Sequence, residues 1–395
     1  MSSFFTLGVY DLLRLRTKGL QYWLADDLLR ELRLRSSKKK QPLPLHVIFA
    51  LVDHFEPGNG GVDHARQKAR VTKWVEDYPL LARRHRDSDG RHPSHTFFFP
   101  PHYDTDDHLA RIVQLCGQGF GEVEMHLHHD RHGPWPDDEQ SLRQKIMNCV
   151  DDFSRHGVFC LPDSTKKFAF IHGDWALANS RHGGAHCGVN DELSILQDAG
   201  CYADFTFPIS NESQPRLCNR FFYGASRPEY PKGYNRLCQE VVAGNKNRPG
   251  LLFVQGPIGL RWRARSHRFK PSIEQSNIDK MDAPFPCRID YWVNKGIHVP
   301  GRPEWVFIKI HTHGAREVDW DVLLGRACDE MFGYLEERYN DGDNYMLHYV
   351  SAREMYNIIR AAEDEKSGNP TAFRDYEIPR YVYLPPEWPE FEKTK

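Results

Sequence analysis

Two periods alternate along this chain. Leu45-His46-Val47-Ile48-Phe49-Ala50-Leu51-Val52 is an almost unbroken apolar run, as expected of a strand buried on both faces. Further strands are predicted over 95–99, 122–128, 168–172, 202–207, 251–255, 305–311 and 345–350. Between them the 3.6-residue period predicts helices over 62–86, 107–118, 138–155, 191–199 and 319–338. A last helix opens at Ser351, with Glu354 completing a capping box. Strands alternating with helices predict an α/β fold with a parallel sheet, and seven or eight such units suit a distorted (β/α)7–8 barrel better than an open sheet.

The rhythm also divides the chain. Residues 1–41 read as an amphipathic helical extension, with leucines at 12, 13, 20, 24, 28, 29 and 32, ending in a basic linker. The barrel spans 42–360. Two stretches, 209–249 and 256–303, are too long for ordinary connections and are expected to be insertions over an active site or a small subdomain. An extended tail, 361–395, follows.

Composition narrows the function classes. Of 395 residues, 52 are Lys or Arg and 54 Asp or Glu, so no net charge draws the whole chain to nucleic acid. Any anionic partner is met locally. Residues 14–40 carry nine Lys/Arg against three acids, which allows peripheral membrane contact through 7–40. The basic stretch 261–270 reads more simply as a solvated loop than as a site for RNA or an anionic glycan. Nine cysteines without a C-x-x-C pair argue for reduced thiols and a cytoplasmic protein. Charges at Asp11, Arg14, Arg16 and Lys18 break any signal-peptide core, and no run of 18 apolar residues exists. Walker A and G-x-S-x-G motifs are absent.

The chain holds 21 histidines, eight of them between His92 and His132. The first strand runs into Asp53-His54, the third ends in His126-Leu127-His128-His129-Asp130, the fourth in His172-Gly173-Asp174-Trp175, and the seventh in His311-Thr312-His313. In a (β/α) barrel the C-terminal strand ends share the face on which active sites are built. Alternation puts Glu124, His126 and His128 on one side of the third strand, and Lys309, His311 and His313 on one side of the seventh. Imidazoles with a carboxylate form a ligand set for zinc or a similar divalent ion.

These motifs resemble the polysaccharide deacetylases (carbohydrate esterase family 4), over roughly residues 45–315. The resemblance implies a metal-dependent hydrolase that removes acetyl groups from an acetylated glycan, with Zn²⁺ as the expected ion. Leu51-Val52-Asp53-His54 matches the family's first motif, which implies Asp53 as catalytic base and His54 as a metal ligand in place of an aspartate. Glu122-Val123-Glu124-Met125 precedes His126, as in the second motif. Asp130 falls where the second metal histidine stands, with His128 and His129 as rivals for the third position. Ile310-His311 matches the motif that ends in the general acid, with His313 competing. His172, Asp174 and Trp175 stand where substrate contacts would come from.

Three other readings compete. Amidohydrolase barrels close their first strand with His-x-His, whereas here such pairs close the third and seventh. A glycosidase would use a carboxylate pair without metal. A catalytically lapsed deacetylase-type fold would serve as a carbohydrate-binding or scaffold protein in a glycan assembly system.

Overall fold

β1 (Leu45–His54) is the centre of the fold, and every one of its residues is buried. It pairs in parallel with β11 (Trp305–Thr312) along one side. Its other side is shared: β12 (Tyr345–Tyr349) covers Leu45 to Phe49, and β2 (His95–Phe99) covers Leu51 to His54. The sheet then runs in parallel through β3 (Gly121–Leu127), β4 (Phe168–His172), β5 (Cys201–Asp204) and β8 (Leu251–Phe253). A short antiparallel addition, β6 (Phe222–Gly224) and β7 (Cys238–Glu240), completes ten strands. A computed structural model describes this architecture for residues 19–36, 42–103, 107–129, 136–261 and 272–384.

Helices form where the periodicity predicts them, one before the first strand, one after the last and the others between strands. They include α1 (Leu20–Ser36), α2 (His64–Ala82), α3 (His108–Gly117), α4 (Glu139–Ser154) and α5 (Glu192–Asp198). α4 and α9 (Ala352–Glu363) both begin with capping boxes, from Asp138 with Ser141 and from Ser351 with Glu354. All twelve residues of α9 are buried, so it is a core helix rather than a surface one.

The fold is α/β and barrel-like, but the strand ladder among the described residues does not close. At the gap, Lys309 on β11 reaches across, its Nζ donating to the carbonyls of Phe205 at 2.6 Å and Phe207 at 2.7 Å. Beside it, the His311 N–H donates to Ser276 O and the Ile278 N–H to His311 O. Segment 276–278 thus lies along the end of β11.

The two long insertions are more ordered than loops. The second carries the hairpin β9 (Gly259–Arg261) and β10 (Ser272–Glu274), then α6 (Pro286–Asn294), which opens with proline in its first turn. The helix expected over 319–338 is two, α7 (Trp320–Leu323) and α8 (Arg326–Arg338), parted at Gly325. α1 packs Trp23 against Cys218 and Ile258, and Asp27 pairs with Lys295 at 2.6 Å. The helical extension therefore sits on the insertions. The basic linker over 37–41 and the basic stretch 262–270 lie outside the described residues. No helix among the described residues is long and apolar enough to cross a membrane.

Candidate metal centre

The C-terminal ends of β1, β3 and β11, with the turn after β4, surround a polar cavity of about 330 Å³. His54, Glu56, His126, His128, Asp174, Trp175, His311 and His313 all line it. Strand parity explains who enters. His126 and His128 are two apart on and just past β3, as are His311 and His313 on β11, so each pair shares a side. His54 ends β1, and Glu56 lies two residues further on the same side.

Parity also removes Asp53. Adjacent residues of an extended strand face opposite ways, so His54 and Asp53 cannot both reach the cavity. Asp53 is fully buried on the helix side, 2.9 Å from His95 Nε2, and accepts the Gly314 N–H at 2.6 Å. Trp74 of α2 donates to Gly314 O at 2.7 Å, completing a brace under the turn that follows His313. The residue expected as base thus supports the site from outside.

Glu56, His126 and His128 bring one ligand atom each within 4.8 Å of one another. His126 Nδ1 donates to Ile171 O at 2.9 Å, which leaves Nε2 unprotonated, buried and without a hydrogen-bond partner. His128 Nδ1 lies 3.0 Å from Asp174 Oδ2, and its Nε2 lies 2.9 Å from Glu56 Oε1. Anchoring one ring nitrogen so that the other is presented is how metal-binding histidines are oriented. His54 Nε2 and His311 Nδ1 are also buried without partners. The His54 ring stacks on His313 at 4.7 Å and meets His126 edge-on at 5.0 Å. These are orphaned donors and acceptors of the right chemistry for a divalent ion, so the residues fit one.

Electrostatics divides the imidazoles. Burial pushes His126 down to about 3 and holds His54, His311 and His313 below their ordinary value, so these four are neutral near pH 7. Burial acts on His128 in the same sense, but Asp174 and Glu56 outweigh it and lift that ring to about 9, so a metal at Nε2 would have to displace the proton that Glu56 accepts. Burial likewise opposes ionisation of Glu56, and the neighbouring His128 and His126 overcome it and hold the carboxyl well below the usual range.

The turn after β4 is built for close approach. A Cβ on Gly173 would sit 2.4 Å from His128 Nδ1, so only glycine lets the two segments touch. Asp174 and Trp175 both adopt positive φ, at 54° and 53°. Such backbone costs about 1–3 kcal/mol per non-glycine residue and clusters at functional sites.

Of the residues expected at the site, His54, His126, His128, Asp174, Trp175, His311 and His313 line the cavity. Asp130 lies outside the described residues. His172 turns away into a second buried group with His129, Cys187 and Glu192. A third group joins Asp87, Asp89 and His348 at the opposite end of β1, beside the strand starts. Glu56 was missed because it follows the strand, although its spacing from His54 repeats the spacing within the other two histidine pairs.

No protein-family model and no curated protein matches the chain. Among solved structures, an alpha-mannosidase from Enterococcus faecalis V583 aligns over 82% of this chain and 30% of its own, at 8% identity and a TM-score of 0.41. At that level of likeness neither its fold nor its activity transfers to this protein.

Proposed function

We propose that this protein is a metal-dependent hydrolase that removes acyl groups, acetyl foremost, from a carbohydrate, on a distorted (β/α)7–8 barrel of the polysaccharide deacetylase type. The observation that carries the reading is the convergence of Glu56 and the Nε2 atoms of His126 and His128 in one open, polar cavity. Three protein ligands beside open space are the arrangement of a catalytic rather than a structural zinc site. Zn²⁺ suits the nitrogen and oxygen donors, with His54 beside them as a fourth candidate. Bound there, a divalent ion supplies Lewis acidity, polarising an acyl carbonyl and making a water acidic enough to attack.

The chain's own groups do the rest. His311 and His313, kept neutral by burial, are in the state that accepts a proton and can then return it to a leaving amine or alkoxide. Either one takes over the base role that the family motif gives to Asp53. Trp175 offers a ring face for a sugar, and its buried Nε1, without a partner, offers a donor to a hydroxyl.

Elemental analysis of the purified chain, paired with acetate release from acetylated glycans, tests this. A divalent metal in the cavity and release that stops on chelation are expected. His126→Ala and Glu56→Gln should each remove both the metal and the release with the fold retained. Absence of metal after zinc or cobalt reconstitution would overturn the hydrolase reading and favour the carbohydrate-binding alternative.

A further inference from the structure

Beside the cavity, and separate from it, four side chains from three segments meet in the fully buried interior: His129 after β3, His172 at the end of β4, and Cys187 and Glu192 before and at the start of α5. Their ligand atoms lie within 4.8 Å of one another. We propose that this group is a second, structural metal site that holds Zn²⁺ by His129 Nε2, His172 Nε2, Cys187 Sγ and a Glu192 carboxylate oxygen.

The hydrogen bonds around the group favour a cation at its centre. His129 Nδ1 faces Cys187 O at 3.3 Å, and His172 Nδ1 donates to Gly173 O. With the proton on Nδ1 of each ring, both Nε2 lone pairs turn inward, where His172 Nε2 has no hydrogen bond and His129 Nε2 faces only Glu192. Glu192 Oε1 lies 3.0 Å from His129 Nε2 and 3.5 Å from His172 Nε2, the separations a cation shared by all three would bring together. Two lone pairs and a carboxylate oxygen facing one another in a buried interior repel unless positive charge lies between them. A single proton on one ring would satisfy one contact and leave the other nitrogen bare.

Without a cation the sulfur is a thiol, its S–H facing Val189 O and Glu192 Oε2 at 3.4 Å each, and a bound ion would have to take the place of that proton. Cys187 Sγ accepts the Asn179 N–H at 3.3 Å, the kind of amide contact that steadies sulfur carrying negative charge. Glu192 Oε2 is fixed by the Ala178 N–H at 2.6 Å, which leaves Oε1 to point inward. Binding would release the thiol proton to solvent as the metal–sulfur bond forms, with no change of oxidation state. Four protein donors and no exposed position make a closed site, the structural type.

The site would tie together the segments that furnish one wall of the cavity. His128 faces the cavity and His129 the second site, one peptide apart. His172 belongs to one and Asp174 to the other.

Sulfur separates the two sites experimentally, because among the described residues no cysteine or methionine lines the cavity. The full-length chain, stripped with chelator and titrated with Co²⁺, should develop a near-ultraviolet thiolate-to-cobalt charge-transfer band whose full intensity corresponds to one cysteine-bound cobalt per chain. Cys187→Ser should abolish the band and His126→Ala should leave it intact. The wild-type unfolding midpoint should fall on stripping and recover with Zn²⁺. No such band in the wild-type protein at saturating Co²⁺, or a band that persists in Cys187→Ser, would overturn the proposal. The wild-type titration stands even where a variant fails to fold, and a lost cavity metal would leave it unchanged.

Discussion

Asp53 accepts the backbone N–H of Gly314 at 2.6 Å, across the junction between β1 and β11. That bond fixes the turn directly after His313, so the aspartate acts on the cavity through the main chain rather than through a reacting proton.

Asp53→Asn should therefore be mild. The amide oxygen can still accept from Gly314 and its nitrogen can donate to His95. Acetate release should stay within about tenfold of wild type, whereas loss of a general base costs roughly 10²–10⁴-fold. Asp53→Ala leaves the buried Gly314 N–H unpaired and should cost about 1–3 kcal/mol in urea unfolding. Turnover and unfolding curves of both variants decide between brace and base.

Gly173→Ala should detach the cavity from its fourth-strand wall. The new methyl would meet the His128 ring 2.4–2.6 Å away, so the ring must turn from Asp174 and Glu56. Loss of an orienting contact of this kind weakens metal binding by about 10- to 100-fold. Competition with a chromogenic chelator reads the change directly. An unaltered affinity would mean that His128 is not a ligand.

The pH dependence of stability should carry the mark of Glu124. It is fully buried at the strand-start end, with Tyr202 and Tyr381 donating to Oε1 and the Ala169 N–H to Oε2. Burial raises it from 4.5 to about 8. Folded, it keeps its proton through a range in which the unfolded chain has lost it. Its contribution is thus complete below about 4.5 and is lost as pH rises toward 8, by at most about 1.4 kcal/mol per unit. Glu124→Gln should flatten urea midpoints across that window relative to wild type.

At the same end, Arg353 of α9 forms a buried bidentate pair with Glu122, to which Ser351 also donates. Arg353→Met would leave that carboxylate buried without its cation, at a cost of about 3–5 kcal/mol. Metal content and acetate release of the surviving folded protein should be unchanged, since the strand starts carry stability and the strand ends carry the site.

How much of this was legible in the sequence depends on distance along the chain. The strands were, because long apolar runs such as 45–52 read clearly. The histidines of β3 and β11 followed from their alternation. The same alternation, applied to β1, separates Asp53 from His54 and adds Glu56, but a motif match pairs the neighbours instead. Cys187 and Glu192 carry no periodic signal. Only the folding of the loop before α5 brings them to His129 and His172. The short strands β6 and β7 escaped for a related reason: three-residue strands are too brief to show a period.

Lys309 has a mechanical meaning. Elsewhere neighbouring strands are laced by runs of main-chain bonds, eight paired residues between β1 and β11 alone. Between β11 and the end of the fifth strand the Lys309 ammonium spans the gap, joined by the main-chain bonds of segment 276–278 to β11. The flanking segment supplies Gln275, Asn277 and Asp279 to the rim of the cavity. Widening the mouth on that side breaks a few contacts, whereas widening it across β1, β2 and β3 breaks a ladder. The cavity is therefore framed unevenly, by side-chain contacts at Lys309 on one side and by a continuous main-chain ladder under Glu56, His126 and His128 on the other.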